Sequence, residues 1–270
     1  MRRSAVVALI IVGSCAIGVS VADGLSGLAS VDGGATATAL AVRVSPPPKN
    51  VVEHFSTLPV GSALPSDAEC AAQVRPMAER RPANAVFNNT AGLGDGTISD
   101  LPRVDGHFTG TTDEIIEWVA CKWGIDEDVV RAQVAKESWW HQSAGGDLSS
   151  DQSTCYPSVR TATGECPQSV GLGQVRYPYH MQAFTNGNAV QSSAFNLDYT
   201  YGRWRQCFEG ELTWLNTVER GQQYAAGDMW GCLGVWFSGR WYVPGAVQYI
   251  AAVQGYLSSR VWESADFQNG

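Results

Sequence analysis

Residues 111–140 read TTDEIIEWVACKWGIDEDVVRAQVAKESWW, and this stretch decides the fold class. Thr111 is followed three residues later by Glu114, which is the spacing of a helix capping box. Apolar residues then recur with helical spacing, and Gly124 predicts the end of this helix. Asp126 is the expected N-cap of the next helix, because acidic side chains favour helix N-termini. The stretch therefore predicts two consecutive helices joined by a short turn.

The second of these helices carries a glutamate in line with its apolar residues. Val130, Val134 and Glu137 stand at positions i, i+4 and i+7, so the glutamate continues the apolar stripe. Its carboxyl is expected to point toward the core or the edge of a cleft, where desolvation raises the pKa. A carboxylic acid that keeps its proton near neutral pH suits general acid catalysis. The alternative is an ordinary solvent-exposed glutamate in the last helical turn.

Helical patterns dominate the rest of the chain, and strand-like alternation is almost absent. Two longer helices are predicted over 189–208 and 243–262, and a short helix is expected to start after Ser66 and to be ended by Pro82. The predicted fold class is therefore mainly α. One helical domain covers 111–265, and an irregular N-terminal extension over 67–110 packs on it.

The N-terminus has the pattern of an export signal. Within residues 1–22 two arginines precede an apolar run, and small residues follow it. Three outcomes stay open: a cleaved signal peptide, an uncleaved membrane anchor, and lipidation of Cys15 in a lipobox-like VGSC. Residues 23–66 are rich in Gly, Ala, Ser and Pro and predict a disordered linker. We expect a secreted or cell-envelope protein.

The cysteine count supports export. Seven cysteines are present, and setting Cys15 aside leaves six, an even number that suits a disulfide-permitting compartment. Six cysteines allow 15 pairings, and proximity along the chain favours Cys155–Cys166, Cys70–Cys121 and Cys207–Cys232. Zinc is the rival hypothesis, but no CxxC pair exists, and His141 and His180 lack the spacing of a zinc motif. No metal or other cofactor is expected.

The composition limits the partners. The net charge is −8, and no cluster of Lys and Arg occurs beyond the N-terminus. A nucleic-acid partner is therefore not expected, and neither is a basic membrane-binding face. Membrane contact is expected only through an N-terminal anchor or lipid. With 44% hydrophobic residues among 270, the chain is long enough for a sizeable core, and we expect a monomer.

Four short motifs in order give the chain a family resemblance. They are Glu137-Ser138-Trp139, the GLGQV of 171–175, Asn196-Leu197 and the VWFSG of 235–239. Their order and spacing resemble the lysozyme-like lytic transglycosylases, the group of soluble lytic transglycosylases and goose-type lysozymes. That family has Glu-Ser-aromatic, Gly-Leu-Met-Gln-Ile, Asn-Ile and Ala-Tyr-Asn-Ala-Gly at these places. The resemblance covers roughly residues 112–262.

Two departures from the family pattern bear on the cleft. Gly173 replaces the usual methionine, which would remove apolar lining. Trp236-Phe237-Ser238 replaces Tyr-Asn-Ala, so the tyrosine hydroxyl that the family commonly aims near the glutamate is missing there. Tyr177 or Tyr242 is the expected substitute.

The resemblance implies a disulfide-stapled, lysozyme-like enzyme that breaks the MurNAc-GlcNAc glycosidic bond of peptidoglycan. Glu137 would be the general acid and base, and peptidoglycan glycan strands would be the partner. The product would be an anhydro sugar, with lysozyme-like hydrolysis as an alternative. The expected substrate-binding residues are Ser138, Trp139, Gly171, Gln174, Tyr177, Asn196, Trp236 and Trp241. A non-catalytic sugar-binding wall module and an exported protein-binding domain remain the other hypotheses.

A second carboxylate is the obvious group to stabilise the cation that forms during glycoside cleavage. Four acids stand in suitable parts of the chain: Asp147, Asp151, Glu165 and Asp198. The sequence does not choose among them, and the resembled family usually works with one glutamate.

Overall fold

The computed structural model describes residues 53–92, 96–216 and 223–270. They belong to one compact unit that spans Asn50–Gly270. The predicted export signal over 1–22 and the linker prediction for 23–52 lie outside the described residues.

Within the described residues the chain is mainly helical, as predicted. Its α-helices are α1 (Asp67–Gln73), α2 (Ala85–Asn88), α3 (Thr112–Trp123), α4 (Glu127–Ser138), α5 (Gln182–Thr185), α6 (Ser193–Phe208), α7 (Met229–Ser238), α8 (Pro244–Ser259) and α9 (Ala265–Asn269). Short 3₁₀ turns cover Pro82–Asn84, Gln152–Thr154, Pro157–Val159, Thr213–Asn216 and Val261–Glu263. None of these helices is long and apolar enough to cross a membrane.

A small antiparallel sheet, which the sequence did not predict, follows α4. It has the order β1 (Gly145–Ser149), β2 (Cys166–Val170) and β3 (Val175–Arg176). Gly145 pairs with Val170, and Val170 pairs with Val175 on its other side. The strands are short and β1 is largely exposed, so they lack the alternation of a half-buried strand.

The caps predicted around α3 and α4 are present. Thr111 and Glu114 form the reciprocal capping box at the start of α3, and Gly124 ends that helix with a φ of 57°. The Asp126 side chain accepts from the backbone N–H groups of Asp128 and Val129 at the start of α4.

Boundaries elsewhere differ from the predictions. The helix α6 begins at Ser193 instead of near residue 189, because the Ser192 side chain caps it. The helix α1 ends at Gln73, well before Pro82. The helix α7, with Asp228 as its N-cap, was not predicted at all, because its apolar residues run all round it and show no stripe.

The prediction of a disordered linker is wrong for residues 53–66. Phe55 is buried, and its backbone N–H donates to the Glu127 carboxylate at 3.0 Å. Leu58 donates to the Gly124 carbonyl at 3.0 Å, and Arg205 donates to the Pro59 carbonyl at 2.9 Å. This segment donates a hydrogen bond to the Gly124 carbonyl at the C-terminal end of α3, and it buries Phe55. It is therefore ordered by packing, although its composition is typical of a linker.

All three predicted disulfides are confirmed. Cys70–Cys121 joins α1 to α3, Cys207–Cys232 joins α6 to α7, and Cys155–Cys166 ties the loop after β1 to the start of β2. The first bond fastens the N-terminal segment to the helical core. Three disulfides are compatible with an extracytoplasmic location.

Candidate active site

Glu137 lies in the last turn of α4 and is half-buried. Val130 and Val134, one and two turns earlier on the same face, are fully buried. The glutamate therefore stands where a buried helical stripe reaches the surface. The helix α4 packs along α8 on this side.

Two tryptophans end α4 directly after this point. Trp139 and Trp140 both have left-handed backbones, with φ of 54° and 61°, a conformation that costs a bulky residue about 1–3 kcal/mol. Arg81 donates to the Trp139 carbonyl at 3.0 Å, and Asn84 donates to the Trp140 carbonyl at 2.8 Å. The N-terminal segment thus holds the sharp turn that places Glu137 at the helix end.

Tyr249 on α8 donates a short hydrogen bond to Oε1 of Glu137. Its ring lies in the buried stripe of α8, which contains Ala246, Tyr249, Ile250 and Val253. The expectation that Tyr177 or Tyr242 supplies this hydroxyl is wrong. Tyr242 instead donates to the Asp228 carboxylate at 2.8 Å, at the start of α7.

Burial raises the pKa of Glu137 to about 7. The hydrogen bond from Tyr249 and the charge of Lys136 oppose this shift, whereas the charge of Asp147 adds to it. Within the described residues no arginine or lysine forms an ion pair with Glu137. Near neutral pH a large fraction of this carboxyl therefore keeps its proton.

The two oxygens of Glu137 have different surroundings. Oε1 accepts from Tyr249, whereas Oε2 has no hydrogen-bond partner within the described chain and is reached by solvent. Because Tyr249 directs its own proton to Oε1, the acid proton belongs on Oε2. The free oxygen is thus the one that can donate outward.

An aromatic surface stands beside the acid. Phe237, at the end of α7, stacks on Tyr249 with ring centroids 4.6 Å apart, yet 55% of it is exposed. Trp236 donates from Nε1 to the Gly173 carbonyl at 2.9 Å and stacks on His180 at 5.1 Å. Burial lowers the pKa of His180 to about 4, so this ring is neutral at pH 7. In the motif WFS, Phe237 thus has one free ring face, and the ring of Trp236 is held in place.

The turn over 171–174 is fastened to the helices by residues that were predicted to bind substrate. Ser138 donates to the Leu172 carbonyl at 3.0 Å, and it is buried. Asn196 accepts from the Gly173 N–H at 2.8 Å and donates to the Val170 carbonyl at 3.0 Å. Both side chains therefore support the turn and do not face a ligand.

The glycines of this turn allow it to approach α6. A Cβ on Gly173 would lie 2.2 Å from Thr200 Oγ1, and a Cβ on Gly171 would lie 2.2 Å from the Asn196 amide. The expectation that Gly173 removes apolar lining from the cleft is therefore wrong, because the position faces α6. Gly171 is buried and has a φ of 82°, which favours glycine.

Gln174 and Asp147 share one side of the sheet. Gln174 is half-buried and donates to the Gly171 carbonyl at 2.9 Å, while its Oε1 lies over Gly146. Asp147 has a φ of 49°, accepts from the Ser169 hydroxyl and lies 3.7 Å from Arg176. The left-handed residue turns its carboxylate toward Ser169, out of the normal alternation of β1.

Among the four candidate second carboxylates, only Asp147 influences the Glu137 carboxyl. Asp151 caps the turn Gln152–Thr154, and Glu165 is exposed in the disulfide loop. Asp198 is fully buried and pairs with Lys122 at 2.9 Å. The last three are therefore structural or solvated residues.

Three predicted binding aromatics lie elsewhere. Trp241 is 1% exposed and packs against the backbone of α7 at Gly231, so its assignment to substrate binding is wrong. Tyr177 is half-buried between Tyr156 and Phe184. Trp139 is half-buried against Tyr256 and Phe267. Each ring contributes to packing.

Sequence reasoning missed Tyr249 and Phe237. A signal for Tyr249 existed: it occupies an apolar stripe of α8 just as Glu137 occupies one of α4. A polar group in such a stripe needs a buried partner, and two of them on different helices are candidates for each other. Phe237 has no equivalent signal, because stacking on Tyr249 depends on how α7 meets α8.

One group of described residues lies close enough to be considered for a metal, His54 with Glu127 and Asp128. Glu127 already accepts from Arg75 and Arg131 there. Arg75 and Arg131 thus already supply the positive charge that a metal ion would bring.

Two cavities among the described residues lie away from Glu137. One of about 310 Å³ lies between Leu64, Trp123 and Glu209. The other, of about 170 Å³, lies between Phe87 and Pro167.

No protein-family model, no curated protein and no solved structure matches this chain. The lysozyme-like fold and the family therefore stay predictions from the sequence motifs. The contacts among Glu137, Tyr249 and Phe237, and the charge of Asp147 near them, come instead from the structure.

Proposed function

We propose that this protein is an extracytoplasmic glycosidase that cleaves the MurNAc-GlcNAc bond of peptidoglycan, with Glu137 as general acid and base. One observation carries the proposal: Glu137 has a half-buried carboxyl whose pKa burial raises to about 7, and no cation among the described residues forms an ion pair with it. Its Oε2 is free to donate a proton outward. A general acid that protonates the bridging oxygen of a glycosidic bond requires these properties.

In the first step, Glu137 donates the Oε2 proton to the bridging oxygen as the glycosidic bond breaks. The hydrogen bond from Tyr249 stabilises the carboxylate that remains. General acid catalysis supplies roughly 10²–10⁴-fold of the rate, whereas enzymes commonly need 10⁶-fold or more. Positioning and distortion of the sugar must supply the rest.

The aromatic surface fits the positioning task. Phe237 is backed on one face by Tyr249 and exposes the other, next to the acid. A pyranose ring has a C–H-rich face that packs well on an aromatic ring. Because Tyr249 holds Phe237 in place, a sugar stacked there would have a fixed height relative to Glu137.

The second step decides the product. If Glu137 then removes the proton of the muramic 6-hydroxyl, an anhydro sugar forms; if it activates water, the result is hydrolysis. The family resemblance favours the anhydro product. Asp147 supports hydrolysis as the second candidate, because Ser169 and its left-handed backbone hold a carboxylate on the side of the sheet where its charge acts on Glu137.

A non-catalytic sugar-binding wall module remains the alternative from a different functional class. The exposed ring of Phe237, which stacks on the Tyr249 partner of Glu137, is the observation that favours it. The module would use Phe237 and would not need a proton on Glu137.

The test is the clearing of a peptidoglycan suspension by the compact unit Asn50–Gly270. We expect Glu137→Gln to lose clearing by at least about a hundredfold, the low end for a general acid. The matched control is Glu165→Gln, which changes an exposed loop acid and should clear normally. Equal clearing by both variants would contradict the proposal.

Two further measurements complete the test. Wall binding without clearing by the unsubstituted protein would favour the sugar-binding module. Mass analysis of released sugars separates the products, because anhydro ends are one water lighter than reducing ends.

A further inference from the structure

An arginine and a tyrosine form an exposed pair directly after β3, and the steps proposed for cleavage do not use them. The backbone N–H of Tyr179 donates to the Arg176 carbonyl at 3.2 Å, so a turn folds Tyr179 back toward β3. The Arg176 guanidinium carbon lies 5.2 Å from the centre of the Tyr179 ring. Tyr179 is 74% exposed, the highest value among the exposed large hydrophobic side chains of the described residues. The arginine thus covers one face of the ring, and the rest of the side chain is open to solvent.

The guanidinium of Arg176 is held in place by a neighbouring strand. Its Nε and Nη2 both donate to Oε1 of Gln168 on β2, at 3.1 and 2.6 Å. Gln168 is itself fixed, because its Nε2 donates to the Thr154 hydroxyl at 2.7 Å. An arginine that is already oriented loses less conformational entropy on binding a ligand than a freely moving side chain does. Arg176 is therefore pre-organised for binding.

The remaining nitrogen of Arg176 has no hydrogen-bond partner among the described residues. Nη1 lies 3.7 Å from Oδ1 of Asp147, which is beyond hydrogen-bond distance. Asp147 directs its other oxygen, Oδ2, to the Ser169 hydroxyl. The Arg176 and Asp147 side chains are 38% and 46% exposed, so solvent screens this ion pair and it contributes little. The N–H groups of Nη1 are therefore available to an acceptor that arrives from solvent.

This exposed pair is connected to the candidate active site through one packed contact. His180, the residue after Tyr179, stacks on Trp236 with ring centroids 5.1 Å apart. The residue after Trp236 is Phe237, the exposed ring beside the proposed acid. Tyr179 and Phe237 are thus two exposed rings, each one residue away from the same stacked pair. A glycan strand of several sugars that contacts Phe237 has a second ring to contact at Tyr179.

We propose that Arg176 and Tyr179 form a second sugar subsite, which takes a pyranose that carries a carboxylate, as the muramic unit of a glycan strand does. The C–H-rich face of the pyranose packs on the open face of the Tyr179 ring. The lactyl arm of the sugar extends past the edge of that ring, and its carboxylate accepts from Nη1 of Arg176. The identity of the ligand as a glycan rests on the proposed function.

The charges around Arg176 favour a carboxylate over other ligands. A neutral sugar would leave the oriented Nη1 without a charged acceptor. The chain has a net charge of −8, so an anion is not attracted by the protein as a whole and needs a local donor. A phosphate dianion would meet twice the repulsion from Asp147 that a carboxylate meets. A singly charged group therefore fits this position best.

The test compares two forms of one ligand. Glycan strands freed of their peptides carry a carboxylate on each muramic unit, and amidation with methylamine removes that charge without shortening the strand. Binding is measured by titration calorimetry on protein that carries Glu137→Gln, so that no strand is consumed. We expect the acidic strands to bind roughly tenfold more tightly than the amidated strands, as one charged hydrogen bond predicts. Equal binding of the two forms overturns the proposal.

Two variants in the same background assign the preference to its residues. Arg176→Gln should bind both forms as weakly as the amidated strands, and Tyr179→Ala should weaken the binding of both forms by roughly tenfold. The matched control is Arg103→Gln, because Arg103 also lies over a ring, that of Trp123 at 5.3 Å, but at the cavity beside Leu64. The control should keep the preference for acidic strands. A preference that survives Arg176→Gln refutes the subsite.

A measurement without any change in this pair covers the case in which those variants do not fold. The ¹H–¹⁵N NMR signal of the Arg176 Nε–H group should move when acidic strands are added, and it should move less with amidated strands. A signal that stays constant with acidic strands would show that they do not reach Arg176, and the proposal would be wrong.

Because every measurement reports binding, the subsite and the proposed function can fail separately. If acidic strands bind through Arg176 and the unsubstituted protein cleaves no glycan, the subsite is upheld and the proposed function fails. If the protein cleaves glycan but binds acidic and amidated strands equally, the subsite alone fails.

Discussion

Glu137 and Asp198 are both acids held against the helical core, and they have opposite surroundings. Asp198 accepts from the Lys122 ammonium at 2.9 Å and from the Trp123 indole at 2.7 Å, besides two backbone N–H groups. Among the described residues Glu137 accepts only from one phenol and forms no ion pair, although the charge of Lys136 acts on it. Burial raises the pKa of both carboxyls, but the Lys122 ammonium and the hydrogen bonds to Asp198 oppose that shift. At Glu137 no cation pairs with the carboxyl among the described residues, so the neutral form is favoured near pH 7.

The partner of Asp198 shows how completely that region is neutralised. Burial would lower the pKa of Lys122, but Asp198, Asp105 and Asp67 together raise it above its ordinary value. The fully buried ammonium stays charged and ties α3 to α6 and to the N-terminal segment. The Asp198 region thus joins helices through paired charges, whereas the Glu137 carboxyl has no such ion pair among the described residues.

The largest effect expected from this contrast concerns stability. Asp198→Asn leaves the buried Lys122 without its closest partner, and removing one member of a buried pair costs about 3–5 kcal/mol. Urea denaturation measures the free energy of unfolding. A loss below about 1 kcal/mol would show that Asp105 and Asp67 are enough to stabilise the Lys122 ammonium. Asp198 and Glu137 would then differ less than their contacts indicate.

Glu137→Gln should act on stability in the opposite direction, and only at high pH. The fold favours the neutral carboxyl, whose pKa rises from 4.5 to about 7, so stability from this group is complete below pH 4.5 and is lost as pH rises to 7. Glutamine has no such loss. With a discount for partial exposure, the variant should gain roughly 2–3 kcal/mol above pH 7.

The measurement is the free energy of unfolding of both proteins at pH 4.5 and pH 8. Their difference should be near zero at the lower pH and favour the variant at the higher one. An equal difference at both pH values would mean that Glu137 titrates normally, and the contrast with Asp198 would disappear.

The smallest predicted effect tests the surface beside the acid. Phe237→Ala removes an exposed ring that stacks on Tyr249, and it should weaken glycan binding by about tenfold, the value of one aromatic contact. The control is Trp214→Ala, since Trp214 is also exposed at 47% and stands outside the site. Binding to insoluble wall material measures both. Equal binding by the two variants would remove Phe237 from the site.

Much of the fold was predictable because its signals are local. The capping box at Thr111, the end at Gly124 and the N-cap at Asp126 each depend on residues within one turn. The disulfides followed chain proximity. The sheet was missed because its strands are short and exposed, and Trp241 was misassigned because burial depends on how α7 packs.

The sequence by itself determined that Glu137 continues a buried helical stripe, because a period of 3.6 residues fixes which side chains share a face. Only the tertiary structure decided what meets it there. Tyr249 comes from 112 residues farther along the chain, and the carboxylate of Asp147 turns on a left-handed φ of 49°. A pKa depends on the charges and donors that folding brings within a few ångströms, and local sequence does not encode those distances.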